Sequence, residues 1–321
     1  MPALPPVVHL DPTSLATQLA DDVRAGLGAS PKRLAPKYLY DARGSELFDE
    51  ITRQPEYYPT DAERALLAAH ADEAADASGA RTLVELGSGT SEKTRLLLDA
   101  LTRGGTLERF VPFDVDPAVL ADAAAALATE LPDLEVAPVV GDFERHLRLL
   151  PRHPARLVAF LGSTLGNLEP PARAALLADL AATTGPGDSL LLGVDLVKDV
   201  DRLLAAYDDA AGVTAAFELN VLTVLDRELG GDADPDAFTY RARWDAERER
   251  VDMLLVSTVD QVVRFAALDL EVHFAAGEEL RVESSAKFRR PGLEAELAAA
   301  GLVVQRWWTD GDYALALAGP A

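Results

Sequence analysis

Apolar and polar positions alternate in two different rhythms along this chain. Between residues 81 and 197, short apolar runs are separated by stretches whose apolar residues recur at helical spacing. The runs that predict strands are TLVELG, RFVPFDVD, LEVAPVVGDF, ARLVAFLGST and SLLLGVDLV, and the predicted helices between them are SEKTRLLLDAL, PAVLADAAAALATEL and residues 171–184. Strands that alternate with helices predict right-handed crossovers and a parallel sheet covered on both faces. We therefore predict an α/β fold for this part of the chain.

The rhythm differs on both sides of that segment. Residues 11–28 predict an amphipathic helix that Asp11 or Thr13 could cap, and residues 61–77 predict a second helix. After residue 197, two predicted helices are followed by several strand-like runs, and the C-terminal residues predict a helix and a hairpin with its turn at Thr309–Asp312. We predict one domain from residues 61–197 and 287–321 and a second, α+β domain from residues 1–60 and 198–286.

Composition and charge mainly exclude classes of function. The formal net charge of -23 repels phosphate backbones, and no basic patch offsets it, so we expect no nucleic-acid partner. The 321 residues include no cysteine, and the five histidines lack metal-ligand spacing, so we expect no metal. The first residues lack the features of a signal peptide, and no apolar run reaches membrane-spanning length. We expect a cytoplasmic monomer without a membrane partner.

A glycine-rich turn, Glu85-Leu86-Gly87-Ser88-Gly89-Thr90, follows a predicted strand and precedes a predicted helix. Glycines there let the backbone approach a ligand closely, and the helix N-terminus offers N–H groups to an anion. The third glycine of a dinucleotide fingerprint is replaced by Glu92, which disfavours a pyrophosphate ligand. A tight turn without a ligand is the alternative.

Carboxylates follow the next two predicted strands. Asp114 and Asp116 compete to accept ribose hydroxyls after the second strand, and we assign that role to Asp114 because Asp116 precedes Pro117 and could cap a helix. Asp142 could accept an adenine amino group and Phe143 could supply an apolar face after the third strand. Ligands of open α/β sheets bind at these strand ends. Singly, each residue could equally be a helix cap or a core aromatic.

Several motifs together resemble the histidine-specific methyltransferases of ergothioneine biosynthesis. They are ELGSGTSEKTRLLLDA, PFDVD, GDFE, FLGSTLGNL and GDSLLLGVDLVKD, with LYDARGSELFDEITRQPEYYPT and RWWTD outside the predicted sheet. The resemblance covers nearly the whole chain. It implies a Rossmann-like class I methyltransferase sheet, parallel with a C-terminal antiparallel hairpin, plus a second α+β substrate-binding domain. It also implies that S-adenosylmethionine (SAM) is held by Gly87, Lys93, Asp114, Asp142 and Phe143, with Lys93 facing the methionine carboxylate.

The same resemblance implies the residues that hold the amino acid. Tyr57, Asn167 and Tyr207 would bind its α-amino and carboxylate groups, Glu283 and Ser285 would read the imidazole ring, and Tyr40, Phe48 and Met253 match positions near the substrate. Two polar partners suit the two ring nitrogens of an imidazole, and residues two apart on a strand share a face. Each residue also has an ordinary structural alternative: an exposed strand face, a turn-forming Asn167, a packing Tyr207 or Tyr57, and a core Met253.

The reaction implied is the trimethylation of the α-amino group of L-histidine to hercynine, the first step of ergothioneine biosynthesis. We expect Tyr40 and Asn167 near the amine, with no general base and no metal. The main alternative is SAM-dependent N-methylation of another free amino acid such as tryptophan. A non-catalytic SAM-binding protein and a nucleic-acid methyltransferase are less consistent with the motifs and the charge.

Overall fold

The apolar runs of residues 81–197 form parallel strands in a computed structural model, which describes residues 3–10, 12–150, 152–153 and 155–321. The α-helices are α1 Pro12–Leu27, α2 Ala42–Ile51, α3 Pro59–Ser78, α4 Arg95–Arg103, α5 Pro117–Glu130, α6 Phe143–His146, α7 Pro170–Thr183, α8 Val200–Tyr207, α9 Val213–Leu229 and α10 Arg290–Ala299. The strands are β1 Val7–Val8, β2 Lys32–Arg33, β3 Thr82–Leu86, β4 Arg109–Asp114, β5 Glu135–Val136, β6 Val139–Val140, β7 Arg156–Phe160, β8 Ser189–Asp195, β9 Phe238–Asp245, β10 Arg250–Ser257, β11 Gln261–Phe265, β12 Leu270–Phe274, β13 Glu279–Ala286, β14 Leu302–Thr309 and β15 Tyr313–Pro320.

The chain divides into two compact units. The first comprises the described residues of Met1–Asp11, Pro59–Val197 and Phe288–Ala321, and the second comprises Pro12–Tyr58 and Lys198–Lys287. These bounds differ from the predicted division mainly at the N-terminus, because β1 pairs in parallel with β6 and so joins residues 3–10 to the first unit. They also place residues 59–60 in the first unit and Lys287 in the second. Asp11, one of the two predicted caps of α1, lies outside the described residues, as does the side chain of Thr13.

The first unit contains a mixed sheet in the order β1-β6-β4-β3-β7-β8-β15-β14, with β5 paired to β4. The strands from β1 to β8 are parallel, whereas β15 and β14 are antiparallel, which confirms the predicted hairpin. Leu83 and Val84 alternate between two separate buried clusters, as period-two side chains of a sheet covered on both faces must. The fold class predicted from the sequence is therefore confirmed.

Two local predictions for this unit need correction. LEVAPVVGDF was predicted as one strand but forms the two short strands β5 and β6, since Pro138 between them has no N–H for the ladder. Helix α4 begins at Arg95 rather than Ser91, because Ser91 has a φ of 52° and cannot start a right-handed helix.

The second unit contains a four-stranded sheet in the order β2-β13-β10-β9 and the separate hairpin β11-β12. Strands β13, β10 and β9 are antiparallel, and β2 joins β13 in parallel. Helix α9 contributes Phe217, Val221, Leu222 and Leu225 to the buried core of this unit. The strand-like runs and both helices predicted between residues 198 and 286 are present. No helix in the described part of the chain is both long and apolar enough to cross a bilayer.

Candidate functional site

The glycine-rich turn of the first unit has a backbone that glycine suits best. Gly87 and Gly89 have φ angles of 66° and 48°, which lie in the left-handed region. The N–H groups of Gly87 and Ser88 donate to the carbonyl oxygen of Phe113 over 2.8 and 3.2 Å, which anchors the turn to β4. A Cβ built on either glycine would meet nothing within 4 Å. The turn is thus fixed on one side and open on the other, as close approach of a ligand requires.

Asp114, at the end of β4, is tied to that turn. Its carboxylate accepts the Gly89 N–H over 2.8 Å and the Asp116 N–H over 3.1 Å, and burial raises the pKa of the carboxyl. Asp116 instead caps α5, since its Oδ1 accepts the N–H groups of Ala118 and Val119 over 2.8 and 3.1 Å. The two aspartates therefore have separate positions, and Asp114 is the one beside the glycines.

Asp142 and Phe143 follow β6, the neighbour of β4. Asp142 is buried, and its Oδ1 accepts the Glu144 N–H over 2.8 Å, so it does cap the short helix α6. The half-buried ring of Phe143 packs edge-on against Phe160, with 5.2 Å between centroids. Because β6, β4 and β3 are adjacent and parallel, the turn, Asp114 and Asp142 lie at one edge of the sheet.

Lys93 is held by a carboxylate that the sequence analysis missed. Its ammonium forms an ion pair with Glu63 of α3, whose side chain is fully buried. Oε1 of Glu63 also accepts the Gly162 N–H over 2.7 Å and the Tyr313 hydroxyl over 2.8 Å. The signal available in the sequence was an acidic residue on the face of α3 that also carries the buried Leu66 and Leu67.

Glu85, which precedes the glycine turn, is also buried. Burial raises the pKa of its carboxyl to about 8, although the Thr94 hydroxyl donates to it. Protonated near neutral pH, this side chain adds no negative charge below the turn. Its role here is to join β3 to the start of α4.

The geometry of this edge fits the parts of SAM. The open side of the glycine turn gives space for a ligand, and the strand-end carboxylates are acceptors for hydroxyl and amino groups. The hydroxyl of Ser88 is buried and has no hydrogen-bond partner among the residues that the structure describes. Such an unsatisfied group is expected where a polar ligand binds. Within the same described residues, no cluster of His, Asp and Glu could hold a metal ion.

Asn167 lies in the loop after β7, within the first unit. It ends the 3₁₀ helix Thr164–Asn167, and its side chain is half-buried. The loop starts with left-handed residues at Gly162 and Ser163, and the Ser163 hydroxyl accepts the Asp195 N–H over 3.0 Å. This bond to β8 and the bond from the Gly162 N–H to Glu63 of α3 fix the position of the loop.

Glu283 and Ser285 lie on one face of β13 in the second unit. Their antiparallel partners on β10 are Met253 and Val251 respectively, and directly opposed residues point to the same face. All four side chains are buried, with 9% of Glu283 and 4% of Ser285 exposed. The exposed polar face considered as an alternative for Glu283 and Ser285 is thus wrong, and the two polar groups lie within an apolar core.

Ser285 belongs to a compact cluster with Tyr207 and Lys287. The Lys287 ammonium donates to the Tyr207 hydroxyl over 2.7 Å and to the Ser285 hydroxyl over 2.8 Å, and the two hydroxyls are 2.9 Å apart. The ammonium also lies 4.4 Å from the centre of the Tyr207 ring. A buried cation beside two hydroxyls is suited to an anionic group. Lys287 was not among the residues predicted from the sequence.

Aromatic rings surround this part of the second unit. Tyr40 packs edge-on against Phe48 and Phe217 at 5.5 and 5.3 Å, and Tyr57 packs against Tyr207 at 6.2 Å. Burial and the neighbouring Glu283 raise the pKa of the Tyr40 hydroxyl well above its usual value, so it stays protonated. Tyr58 differs from its neighbour, because its hydroxyl accepts from Lys198 over 2.6 Å. Of these two adjacent tyrosines, Tyr57 is the one whose ring packs against Tyr207.

Glu283 has a second buried carboxyl beside it. Glu218 of α9 is 1% exposed, and its side chain hydrogen-bonds to that of Glu283. Burial raises the pKa of Glu218 well above its usual value and that of Glu283 to about 7, while the Glu218 hydrogen bond and the Lys287 charge act in the opposite direction on Glu283. The sequence signal for Glu218 was a carboxylate three and four residues before Val221 and Leu222, on the buried face of the helix.

Comparisons with known proteins agree on one family. The profile of the SAM-dependent, histidine-specific methyltransferases matches residues 19–319. The chain is 58% identical to a histidine N-alpha-methyltransferase of Mycolicibacterium smegmatis and 56% identical to one of Mycobacterium tuberculosis, with 97% of both chains covered in each case. A SAM-dependent methyltransferase structure from Clostridium acetobutylicum, 11% identical, aligns with a TM-score of 0.50 over 86% of this chain and 99% of that one, which supports the fold alone.

Proposed function

This chain belongs to the family of SAM-dependent, histidine-specific methyltransferases, and from that premise we propose that it methylates the α-amino group of L-histidine three times, giving hercynine. We assign SAM binding to residues of the first unit and recognition of the amino-acid side chain to residues of the second. The product is the first intermediate of ergothioneine biosynthesis in the family that the motifs resemble.

The observation that carries this proposal is the buried polar face of β13. Burial of the polar side chains of Glu283 and Ser285 costs free energy that an apolar substrate would not offset. An imidazole would offset it, because it has a ring N–H donor and a ring nitrogen acceptor. The buried Lys287, with the hydroxyl of Tyr207, adds donors of the kind that a carboxylate requires. A free amino acid with an azole side chain has complementary groups for both features.

SAM supplies a methyl group on a sulfonium, which is already activated for displacement. Asp114 would accept the ribose hydroxyls, Asp142 and Phe143 would hold the adenine, and Lys93 would face the methionine carboxylate. Gly87 would leave room for close approach. These roles follow the family resemblance, and the positions of these residues at one sheet edge are compatible with them.

The remaining residues would bind and orient the amine. We assign amine contacts to Tyr40 and Asn167, and contacts with the amino and carboxylate groups to Tyr57 and Tyr207, while Met253 packs against the ring-reading face. Orientation of reactants is worth about 7–11 kcal/mol in well-aligned systems, so a pocket that binds the neutral amine needs no strong base. Aromatic rings such as those of Tyr40 and Tyr57 also suit an ammonium that gains methyl groups.

The direct test is a panel of free amino acids with mass detection. Purified protein with SAM and histidine should give a product heavier by three methyl groups, with intermediates of one and two. Methylation of tryptophan or another amino acid instead would keep the family and reject the substrate. A product that stops at one or two methyl groups would reject hercynine only.

Substitution of the ring-reading carboxylate tests the site. Glu283→Ala should raise the histidine KM by about 100-fold, since a buried hydrogen bond to a charged group is lost, with SAM affinity nearly unchanged. Glu271→Ala removes an exposed carboxylate of the same unit and serves as the matched control. Equal losses of histidine and SAM binding would contradict the role assigned to Glu283.

A further inference from the structure

Glu218 is a buried carboxyl of the second unit that the proposed reaction does not use directly. It lies on the face of α9 that also carries Phe217, Val221 and Leu222, and it is 1% exposed. A carboxyl in an apolar core is costly unless a specific partner compensates it. Packing alone therefore gives no reason for an acidic residue at this position.

The partner of Glu218 is Glu283, the carboxyl that we assign to the substrate ring. Two hydrogen-bonded carboxyls in a buried site cannot both be ionised, so they share one proton. Their hydrogen bond raises the pKa of Glu218 and lowers that of Glu283, and the positive charge of Lys287 also lowers that of Glu283, so we assign the shared proton to Glu218. Its O–H then donates to the carboxylate of Glu283.

The hydrogen-bonding capacity of Glu218 is only partly used. Its Oε2 is buried and has no hydrogen-bond partner among the described residues. With the proton directed to Glu283, Glu218 acts as a fixed donor, and the charge of the pair rests on Glu283. In that arrangement, the hydrogen bond from Glu218 fixes the orientation of the Glu283 carboxylate.

Other titratable groups also face the pair. Lys287 lies two residues beyond Ser285 on the chain, and its positive charge favours ionised Glu283. Tyr40 and Tyr240 interact electrostatically with both carboxyls, and burial raises the pKa of each tyrosine hydroxyl well above its usual value. Tyr207 is bonded to Lys287. Burial raises the pKa of Glu283 to about 7, so this carboxyl titrates between about pH 6 and 9.

Resting on the proposed function, we infer that Glu218 is a positioning residue for substrate specificity: its protonated carboxyl donates to Glu283 and holds that carboxylate as the acceptor for the ring N–H of histidine. Glu218 does not touch the substrate in this scheme. Its effect reaches the ring only through the orientation and ionisation of Glu283. The role predicts a change in histidine binding that depends on pH, and no change in SAM binding.

Two variants of similar length separate this role from simple packing. Glu218→Gln keeps a donor toward Glu283 and lacks a titratable proton, whereas Glu218→Met keeps the length and removes the donor. Histidine KM, kcat and SAM affinity would be measured from pH 6 to 9. The Gln variant should keep a histidine KM within about twofold of the wild type at every pH, because its amide replaces the donor.

The Met variant should raise the histidine KM about tenfold at pH 7, with kcat and SAM affinity within about twofold of the wild type. In this variant Glu283 loses a hydrogen bond that favours its charged form. The rise of the histidine KM at acid pH should therefore begin at a higher pH than in the wild type, and the difference in KM should shrink toward pH 9. A defect that is equal at all pH values, or absent, would overturn the inference. If the Met variant does not fold, a tenfold loss in the folded Gln variant would overturn it equally. Failure of the wild type to methylate histidine would instead reject the proposed function.

Discussion

Glu63 in the first unit and Glu283 in the second are both buried, and their surroundings stabilise the two carboxyls in different ways. In the first unit, Glu63 receives an ion pair from Lys93, the Gly162 N–H and the Tyr313 hydroxyl. In the second unit, Glu283 shares a proton with Glu218, and burial raises its pKa to about 7. The first carboxylate is surrounded by donors, whereas the second keeps a charge that its surroundings only partly compensate.

This difference is the one expected between a structural ion, Glu63, and the ring-binding group that we propose for Glu283. A buried charge with several donors is fixed, and breaking its contacts leaves unpaired partners. A buried carboxyl that titrates near neutrality is poised to gain stabilisation from a ligand, as groups at functional sites often are. Replacement of glutamate by glutamine at these two positions should therefore have opposite effects on the free energy of unfolding.

The largest effect is expected from Glu63→Gln in the first unit. The change leaves the Lys93 charge without its counter-ion and places an amide against the donors from Gly162 and Tyr313. The free energy of unfolding should fall by about 3–5 kcal/mol, measured by chemical denaturation. An unchanged stability would show that Glu63 is not the structural ion that its contacts indicate.

Glu283→Gln in the second unit should change the free energy of unfolding in the opposite direction. Burial raises the pKa of Glu283 from 4.5 to about 7, so the folded state binds more protons than the unfolded chain between these values, and stability falls as pH rises through that range. Glu283→Gln removes this dependence. The variant should be more stable than the wild type by about 1–3 kcal/mol at pH 8.5, with a smaller gain at pH 5.5.

The check is a pair of denaturation curves at each pH, with loss of histidine methylation recorded on the same sample. A destabilised Glu283→Gln variant at pH 8.5 would place Glu283 in the same class as Glu63 and remove the contrast between the units.

A smaller effect should come from Lys287→Met. Its charge favours ionised Glu283, so without it the acid limb of histidine binding should move to higher pH, and the histidine KM at pH 7 should rise about three- to tenfold. The hydroxyls of Tyr207 and Ser285 still bond each other, 2.9 Å apart. Lys32→Met, which removes a lysine paired with Glu278 in the same unit, should leave the pH profile unchanged.

The smallest effect is expected at an exposed ion pair. Arg148 and Asp179 form one in the first unit, with 67% of the arginine side chain exposed. Asp179→Asn should change the free energy of unfolding by less than about 0.5 kcal/mol, as is usual for exposed pairs. A large loss there would mean that burial is not what distinguishes Glu63.

The local features of this protein could be predicted from its sequence. Short apolar runs predicted the strands, apolar residues at helical spacing predicted the helices, and the hairpin at Thr309–Asp312 followed from its turn. The glycine turn and the strand-end carboxylates of Asp114 and Asp142 were identified because each depends on neighbouring residues. Glu283 and Ser285 were placed on one strand face by their spacing alone. Pro138 also indicated that the strand predicted for LEVAPVVGDF would be interrupted, although we predicted a single strand there.

The sequence did not determine which charged groups would be buried together. Glu63 meets Lys93 and Tyr313, and Glu218 meets Glu283, only because the fold brings distant segments into contact. Nor did it place residues 3–10, which join the first unit through the pairing of β1 with β6. Helical and strand periodicities arise from neighbours along the chain, whereas desolvation and ion pairing depend on neighbours in space. For that reason the secondary structure was encoded locally, and the ionisation states of the buried groups were decided by the tertiary structure.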